Sequence, residues 1–234
     1  MSGLSAEVDV GKGAWKEAAR LIDISAVQSF NTEDDVRRTV RIAKEYGFIN
    51  VHSLPAFTSL VSELLKDEPD IYVGAPVGFP GGGHTTETKI LEAAKLIQDG
   101  VEEMDIVMNI GRFRSGHDNF VLDELNQIIT LAPPHLLTKV IIEINLLSDE
   151  EMLRAARLVM QTEADFVKTG TGWIAGGANI ERIEKILEVT KGHIKVKAAG
   201  GIRTIEEFEK LLGLGIDRFG INLKSALEIV EASS

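Results

Sequence analysis

The chain has 234 residues, 44% of them hydrophobic, which is enough to bury a large core in one or two domains. A formal net charge of −11 argues against general binding to nucleic acid or to anionic membranes, and the lack of cysteine excludes disulfides, thiolate nucleophiles and cysteine-ligated zinc. No apolar stretch reaches about 18 residues, and Met1-Ser2-Gly3-Leu4-Ser5 carries no signal-peptide pattern, so the expectation is a cytoplasmic protein with no membrane partner.

One pattern recurs in chain order: an apolar run, polar cap residues, a helical segment, a glycine, and the next apolar run. The strand-like runs are 19–24, 48–52, 71–77, 103–110, 139–145, 165–169, 193–198 and 217–221, rich in Val and Ile and apolar on both faces, as buried parallel strands are. Thr32 followed by Glu33, Asp34 and Asp35 opens one helix. Ser148-Asp149-Glu150-Glu151 and Thr204-Ile205-Glu206-Glu207 read as capping boxes, and Gly47, Gly100 and Gly192 fit helix ends. Eight such units of roughly 25–30 residues predict an α/β fold, a single-domain (β/α)8 TIM barrel over 15–234, with 1–14 as an N-terminal extension. An open doubly wound sheet is the competing architecture, and the lack of a Gly-x-Gly-x-x-Gly after the first strand weakens its dinucleotide-binding form.

Catalytic groups of such barrels sit at the C-terminal strand ends. Those ends offer Asp23, Asn50 with His52, Asp105, Asn109, Asn145, Lys168, Lys197 and Asn222. Lys168 closes Asp165-Phe166-Val167-Lys168 before a glycine/threonine turn, and Lys197 sits similarly in Ile194-Lys195-Val196-Lys197. One ammonium beside another favours the neutral amine, and a neutral amine attacks carbonyls, so the pair suggests Schiff-base chemistry. Asp105, inside Met104-Asp105-Ile106-Val107, is the third charge in an apolar strand, where an unpartnered charge is costly. Lys139 is read as structural, opening its strand and facing the barrel bottom; Lys195 is expected to share the facing of Lys197 one layer lower, or to pair with an acid there.

Thr169-Gly170-Thr171-Gly172, Ala199-Gly200-Gly201 and Phe219-Gly220-Ile221-Asn222 follow the last three strands and together form a candidate phosphate cradle of backbone amides. The loop Val77-Gly78-Phe79-Pro80-Gly81-Gly82-Gly83-His84 could close over a substrate. The five histidines show no metal-ligand spacing, and His52 is the best placed of them. Trp15 and Trp173 read as packing residues, with Trp173 a possible wall of the site entrance.

These residues resemble the deoxyribose-phosphate aldolase family of class I aldolases. The resemblance rests on Val77-Gly78-Phe79-Pro80, Thr85-Thr86-Glu87, Glu103 to Gly111, Lys139-Val140-Ile141-Ile142-Glu143, Asp165 to Gly172 and Lys197-Ala198-Ala199-Gly200-Gly201-Ile202-Arg203-Thr204, and it covers most of the chain. It implies that Lys168 forms the Schiff base, that Lys197 lowers its pKa and that Asp105 relays protons. It further implies reversible cleavage of 2-deoxyribose 5-phosphate to acetaldehyde and glyceraldehyde 3-phosphate, with no metal and no organic cofactor. Substrate contacts are expected from Asp23, Ser25, Asn50, Thr171, Gly172, Gly200, Gly201 and Asn222.

The chain departs from the family pattern in three places. The first strand reads Asp23-Ile24-Ser25-Ala26-Val27; the second reads Asn50-Val51-His52-Ser53-Leu54-Pro55 where a cysteine is usual; the last reads Gly220-Ile221-Asn222-Leu223-Lys224 where a serine pair is usual. The departures motivate a second reading, a divergent Schiff-base aldolase for another sugar phosphate or an unphosphorylated aldehyde. A phosphate-binding barrel isomerase without a covalent intermediate, and a non-catalytic metabolite-binding barrel, stand as readings from other classes. The expected partners are a small aldehyde or sugar phosphate and further copies of the chain, as a homo-oligomer such as a dimer.

Overall fold

The computed structural model describes residues 14–176 and 179–233. Except for Ala14, the N-terminal extension expected at 1–14 lies outside the described residues, as does the side chain of Trp15. The chain folds as a closed parallel barrel of strands β1 (Ile22–Ala26), β2 (Asn50–Ser53), β3 (Tyr72–Val77), β4 (Glu103–Val107), β5 (Leu137–Ile141), β6 (Phe166–Lys168), β7 (Lys195–Ala199) and β8 (Arg218–Asn222). Each strand pairs with the next, and β8 pairs with β1, so no sheet edge is left open. The open doubly wound alternative is thereby excluded.

The surrounding helices begin where their caps dictate. Thr32, Ser148 and Thr204 each form a complete capping box, opening α2 (Glu33–Tyr46), α7 (Asp149–Val159) and α9 (Ile205–Gly213) after a short α1 (Ala14–Ala19). Between α2 and α7 run α3 (Thr58–Leu65), α4 (Thr86–Gln98), α5 (Ile110–Arg114) and α6 (Asp118–Ile129). The remaining two are α8 (Ile180–Thr190) and α10 (Leu223–Ala232). The apolar core fills the ring between strands and helices, with Ile22, Ile24, Val51, Ile106, Val140, Val167, Val196 and Phe219 facing outward into it.

Strand boundaries differ from the sequence expectation for local reasons. The first strand begins at Ile22 rather than residue 19 because the alanine-rich 14–19 segment is helical. The fourth ends at Val107 because the Asn109 side chain accepts from the Arg112 amide at 3.2 Å and starts α5. The fifth spans 137–141, and its continuation is broken by Glu143, whose φ of 50° is the one positive value at a non-glycine among the described residues. Lys139 therefore sits in the middle of β5 and inside the barrel, not at its bottom rim. Lys195 shares the inward row of Lys197 one layer lower, as expected, and there reaches the exposed bottom rim, with its ammonium 5.5 Å from the Phe166 ring centroid.

A buried ion pair ties the helical layer to the mouth of the barrel. Lys89 of α4 donates to Glu124 Oε1 of α6 at 2.7 Å and to the Val107 carbonyl at 2.9 Å, where β4 ends. Thr86 donates to the other Glu124 oxygen at 2.9 Å. Both side chains of the pair are fully enclosed, and burial lowers the lysine pKa despite its partner. Removing one partner leaves an uncompensated buried charge, so Glu124→Leu should cost about 3–5 kcal/mol in urea unfolding, whereas Lys89→Met with Glu124→Leu should recover most of that loss.

Candidate active site

The barrel interior is lined by charge. Because strand side chains alternate, Asp23, Asn50, His52, Glu103, Asp105, Lys139, Lys168, Lys197 and Arg218 fall on the inward rows of six neighbouring strands and β1. All nine are buried.

Asp105 is the hub. Its Oδ2 lies 2.6 Å from Lys168 Nζ, 2.9 Å from Lys197 Nζ and 3.1 Å from His52 Nε2, and its Oδ1 lies 3.3 Å from Lys139 Nζ. Asp23 forms a second acidic centre, 2.5 Å from Lys197, 2.7 Å from Arg218 and 3.6 Å from Lys139. Glu103, one layer deeper, holds Lys139 at 2.5 Å and Arg218 at 3.2 Å and accepts from the Asn50 amide at 2.8 Å.

The electrostatics separate these groups. Burial alone would raise the carboxyl pKa of Asp105, but His52 and the three lysines outweigh it and hold the group well below the usual carboxylate range. Asp23 is depressed in the same way, by Lys197, Lys139 and Arg218 against its burial. Lys139 is pushed above the ordinary ammonium range: Asp105, Glu103 and Asp23 overcome its desolvation. Lys168 goes the other way. Burial is the largest cause, Lys197 and Lys139 add to it, and together they outweigh Asp105 and bring the amine down to about 8. A substantial neutral fraction near neutral pH is what a carbonyl-attacking amine requires.

Above this floor lies a cavity of about 210 Å³, lined by Asp23, Ser25, His52, Phe79, Lys168, Thr171, Gly172, Lys197, Gly200, Gly201, Arg203 and Asn222 among others. Gly172 and Gly200, with φ of 78° and 95°, adopt left-handed backbone that a side chain would strain, and their loops lie against each other. A wider depression of about 860 Å³ lies at the opposite face, under Lys191, His193 and Lys195, and includes none of the interior charges.

Nine of the eleven expected site residues line this one cavity; Asp105 lies beneath it in contact with Lys168 and Lys197, and Asn50 is left out. Asn50 does not line the cavity; it begins β2 and lies beneath, bonded to Glu103 and His52. Asn222 lines the cavity, but its amide is engaged in starting α10, accepting from the Ser225 amide and donating to the Ser225 hydroxyl at 3.1 Å each. Asn109 is likewise a cap, and Asn145 lies in the turn after β5 rather than on the cavity lining.

Sequence reasoning missed Lys139, Glu103, Arg218 and Glu143. The first three share inward rows with named candidates, and the two-residue step from Glu103 to Asp105 was an available signal. Glu143 offered no such signal, because its position depends on a backbone break. Its carboxylate accepts from the Thr171 amide at 3.0 Å and from the Thr171 hydroxyl, and Thr171 Oγ1 in turn accepts from the Trp173 amide at 3.1 Å. Trp173 packs behind two residues of the cavity lining: its indole N–H donates to the Val27 carbonyl at 3.2 Å, and its ring meets Phe79 edge-on at 5.5 Å.

Buried lysines, one with a lowered pKa, beside an aspartate at the C-terminal mouth of a parallel barrel are the groups with which an aldolase, a carbon–carbon lyase, works. Residues 18–216 match the model described as DeoC/LacD family aldolase, and the chain belongs to that family. It is 44% identical to the deoxyribose-phosphate aldolase of Sinorhizobium medicae over 93% of this chain and 87% of the relative. It is 42% identical to that of Klebsiella pneumoniae over 87% of this chain and 82% of the relative. Among solved structures, the deoxyribose phosphate aldolase of Aeropyrum pernix, described as a tetramer, superposes with a TM-score of 0.85 at 30% identity, covering 94% of this chain and 92% of that one. The family leaves the isomerase and non-catalytic readings without support.

The electrostatics yield one pH expectation. Lys197→Met removes a cation that lowers the Lys168 pKa, so the folded-state value should rise from about 8 and the acidic limb of kcat/KM should move to higher pH. An unmoved limb would show that Lys197 does not contribute to the lowered value.

Proposed function

We propose that the chain reversibly cleaves 2-deoxy-D-ribose 5-phosphate to acetaldehyde and D-glyceraldehyde 3-phosphate through a Schiff base on Lys168. The observation that carries this reading is Lys168 itself, an amine brought to about 8 on the floor of the cavity and 2.6 Å from a carboxylate. Neutral Lys168 adds to the C1 aldehyde, and loss of water gives an iminium. The cationic nitrogen draws in the electron pair of the C2–C3 bond as the C3 hydroxyl loses its proton, which releases the three-carbon aldehyde and leaves an enamine. Proton return to C2 and hydrolysis release acetaldehyde. Asp105, between Lys168 and Lys197, is the group placed to move these protons.

At the distal end, the amides around Gly172, Gly200 and Gly201 and the Arg203 side chain line the cavity and suit a phosphate. Asp23 is committed to Lys197 and Arg218, so in this reading it orders the cations and Ser25 is the freer polar contact on β1. The tetrameric relative supports assembly as a homo-oligomer, and we place the enzyme in the cytoplasm. The last loop favours a second reading, a different or unphosphorylated substrate. Leu223 supplies no side-chain donor there, and the Asn222 amide is held by Ser225.

Borohydride reduction in the presence of deoxyribose 5-phosphate, followed by peptide mass spectrometry, should place a stable adduct on Lys168 and none on Lys168→Ala. Turnover of the phosphorylated sugar should exceed that of free deoxyribose; the reverse order would select the second reading, and a folded protein without adduct would sink both.

A further inference from the structure

His52 has a role that the lysine–aspartate chemistry alone does not assign. It lies on β2, buried, at the edge of the cavity floor, in a row of polar groups in contact, running Glu103, Asn50, His52, Asp105. The row has a carboxylate at each end. Glu103 is ion-paired with Lys139 and Arg218, and Asp105 with Lys139, Lys168 and Lys197, so each presents acceptors only.

The orientation of every link follows. Glu103 accepts, so Asn50 must turn its NH2 toward it, at 2.8 Å. The Asn50 carbonyl then faces His52 Nδ1 at 2.5 Å, so Nδ1 must carry a proton. In a neutral ring that leaves Nε2 as a bare lone pair, 3.1 Å from the acceptor Asp105 Oδ2. Nε2 is indeed enclosed and makes no hydrogen bond. The opposite tautomer only moves the acceptor–acceptor contact to Asn50. One additional proton on Nε2 satisfies the whole row, and a buried polar atom left without a partner is costly. Gly74 on β3 makes room for the device: a Cβ there would overlap both the His52 ring and the Asn50 carbonyl.

The missing proton is close by. Lys168 Nζ donates at 2.6 Å to the same Asp105 oxygen that His52 Nε2 faces. We propose that His52 stores the proton Lys168 must lose before it attacks, with Asp105 Oδ2 passing it between them. In the resting arrangement Lys168 is an ammonium, Asp105 a carboxylate and His52 neutral. Transfer gives Lys168 a free amine and His52 an imidazolium, with Asp105 again a carboxylate, so the net charge of the interior is unchanged. After the amine adds to the aldehyde, the imidazolium returns its proton, through Asp105, to the departing hydroxyl. The products are water, the iminium cation and neutral His52, and the charge balances again.

The surroundings suit a proton held loosely. Burial is the largest influence on His52 and lowers its pKa, Asp105 raises it, and Lys197 and Lys139 lower it further. Lys168 faces it across Asp105, and Gly74 brings no charge from β3.

This proposal rests on the Schiff-base reading, and two experiments test it. His52→Ala, with folding checked by thermal melting, should form the trapped Lys168 adduct about 10²-fold more slowly with little change in KM. Added imidazoles should restore the rate in proportion to their basicity, which a merely space-filling role would not produce. An unchanged rate, or rescue independent of basicity, overturns the proposal. The second experiment needs no turnover and no change at His52. In Lys168→Met, where the competing ammonium is gone, 15N NMR of labelled histidine should show the His52 imidazolium persisting to higher pH than in the unaltered protein, and an unmoved titration overturns the proposal. A wild-type protein inert toward deoxyribose 5-phosphate would remove the proposed substrate and leave the NMR result to stand by itself.

Discussion

The structure depends on one arrangement, a cluster of ionic side chains enclosed in the barrel. Three carboxylates, Asp23, Glu103 and Asp105, face four cations, Lys139, Lys168, Lys197 and Arg218. Each ion alone would carry a desolvation cost of several kcal/mol, so none is tolerable except through its neighbours. The cluster has one cation in excess, and in a low-dielectric interior an excess charge is relieved by giving up a proton. The partners decide which cation yields. Lys139 has three carboxylates within ion-pair distance, Lys197 and Arg218 have two each, and Lys168 has Asp105 alone among the described residues. Lys168 is therefore the weakest-held ammonium, and its depressed pKa is a property of the whole cluster rather than of one neighbour.

The barrel places that weak point where it is useful. Inward rows from parallel strands stack the charges in layers, and the lower end is closed by the Phe166 ring, whose centroid lies 5.8 Å from Lys139 Nζ and 6.0 Å from the Arg218 guanidinium. Glu103, Lys139 and Arg218 thus sit between a ring below and two carboxylates above, shut off from water. Lys168 ends its strand, so its ammonium reaches the one side of the cluster that opens to the cavity. The same chain direction that closes the sheet therefore separates structural cations from the reactive one.

The architecture was legible in the sequence because alternation of apolar runs with capped helices has a long period and many repeats. The three capping residues Thr32, Ser148 and Thr204 form the boxes their spacing implies. Lys168, Lys197 and Asp105 were legible because charges in apolar strands stand out. Lys139 was misread because strand ends are the weakest part of such reasoning: a two-residue shift of the start moved it from the rim to the interior. Asn50 was misplaced for a related reason, since its strand is only four residues long and the chemistry-bearing end is His52. Glu103 lay two residues before Asp105 on the same strand face and was passed over, whereas Arg218 could be recognised only once the register set it across from Asp23. Glu143 depends on a left-handed residue that no pattern announces.

The two ends of the cavity are built from different materials, and that difference has a consequence. At the floor, side chains on strands are locked by charge, and altering one disturbs several pKa values at once. At the mouth, shape comes from glycine turns and from a few ties between loops: Glu143 to Thr171, Thr171 to Trp173, and Trp173 to Val27 and Phe79. A change at the mouth alters what fits without touching the charge balance below. The departures from the family pattern at Ser25, Asn222 and Leu223 fall at this adaptable end. The exception is His52, a departure that reaches the floor and contacts Asp105 directly, so this is the substitution through which the chain's chemistry, and not only its substrate fit, can differ from that of its relatives.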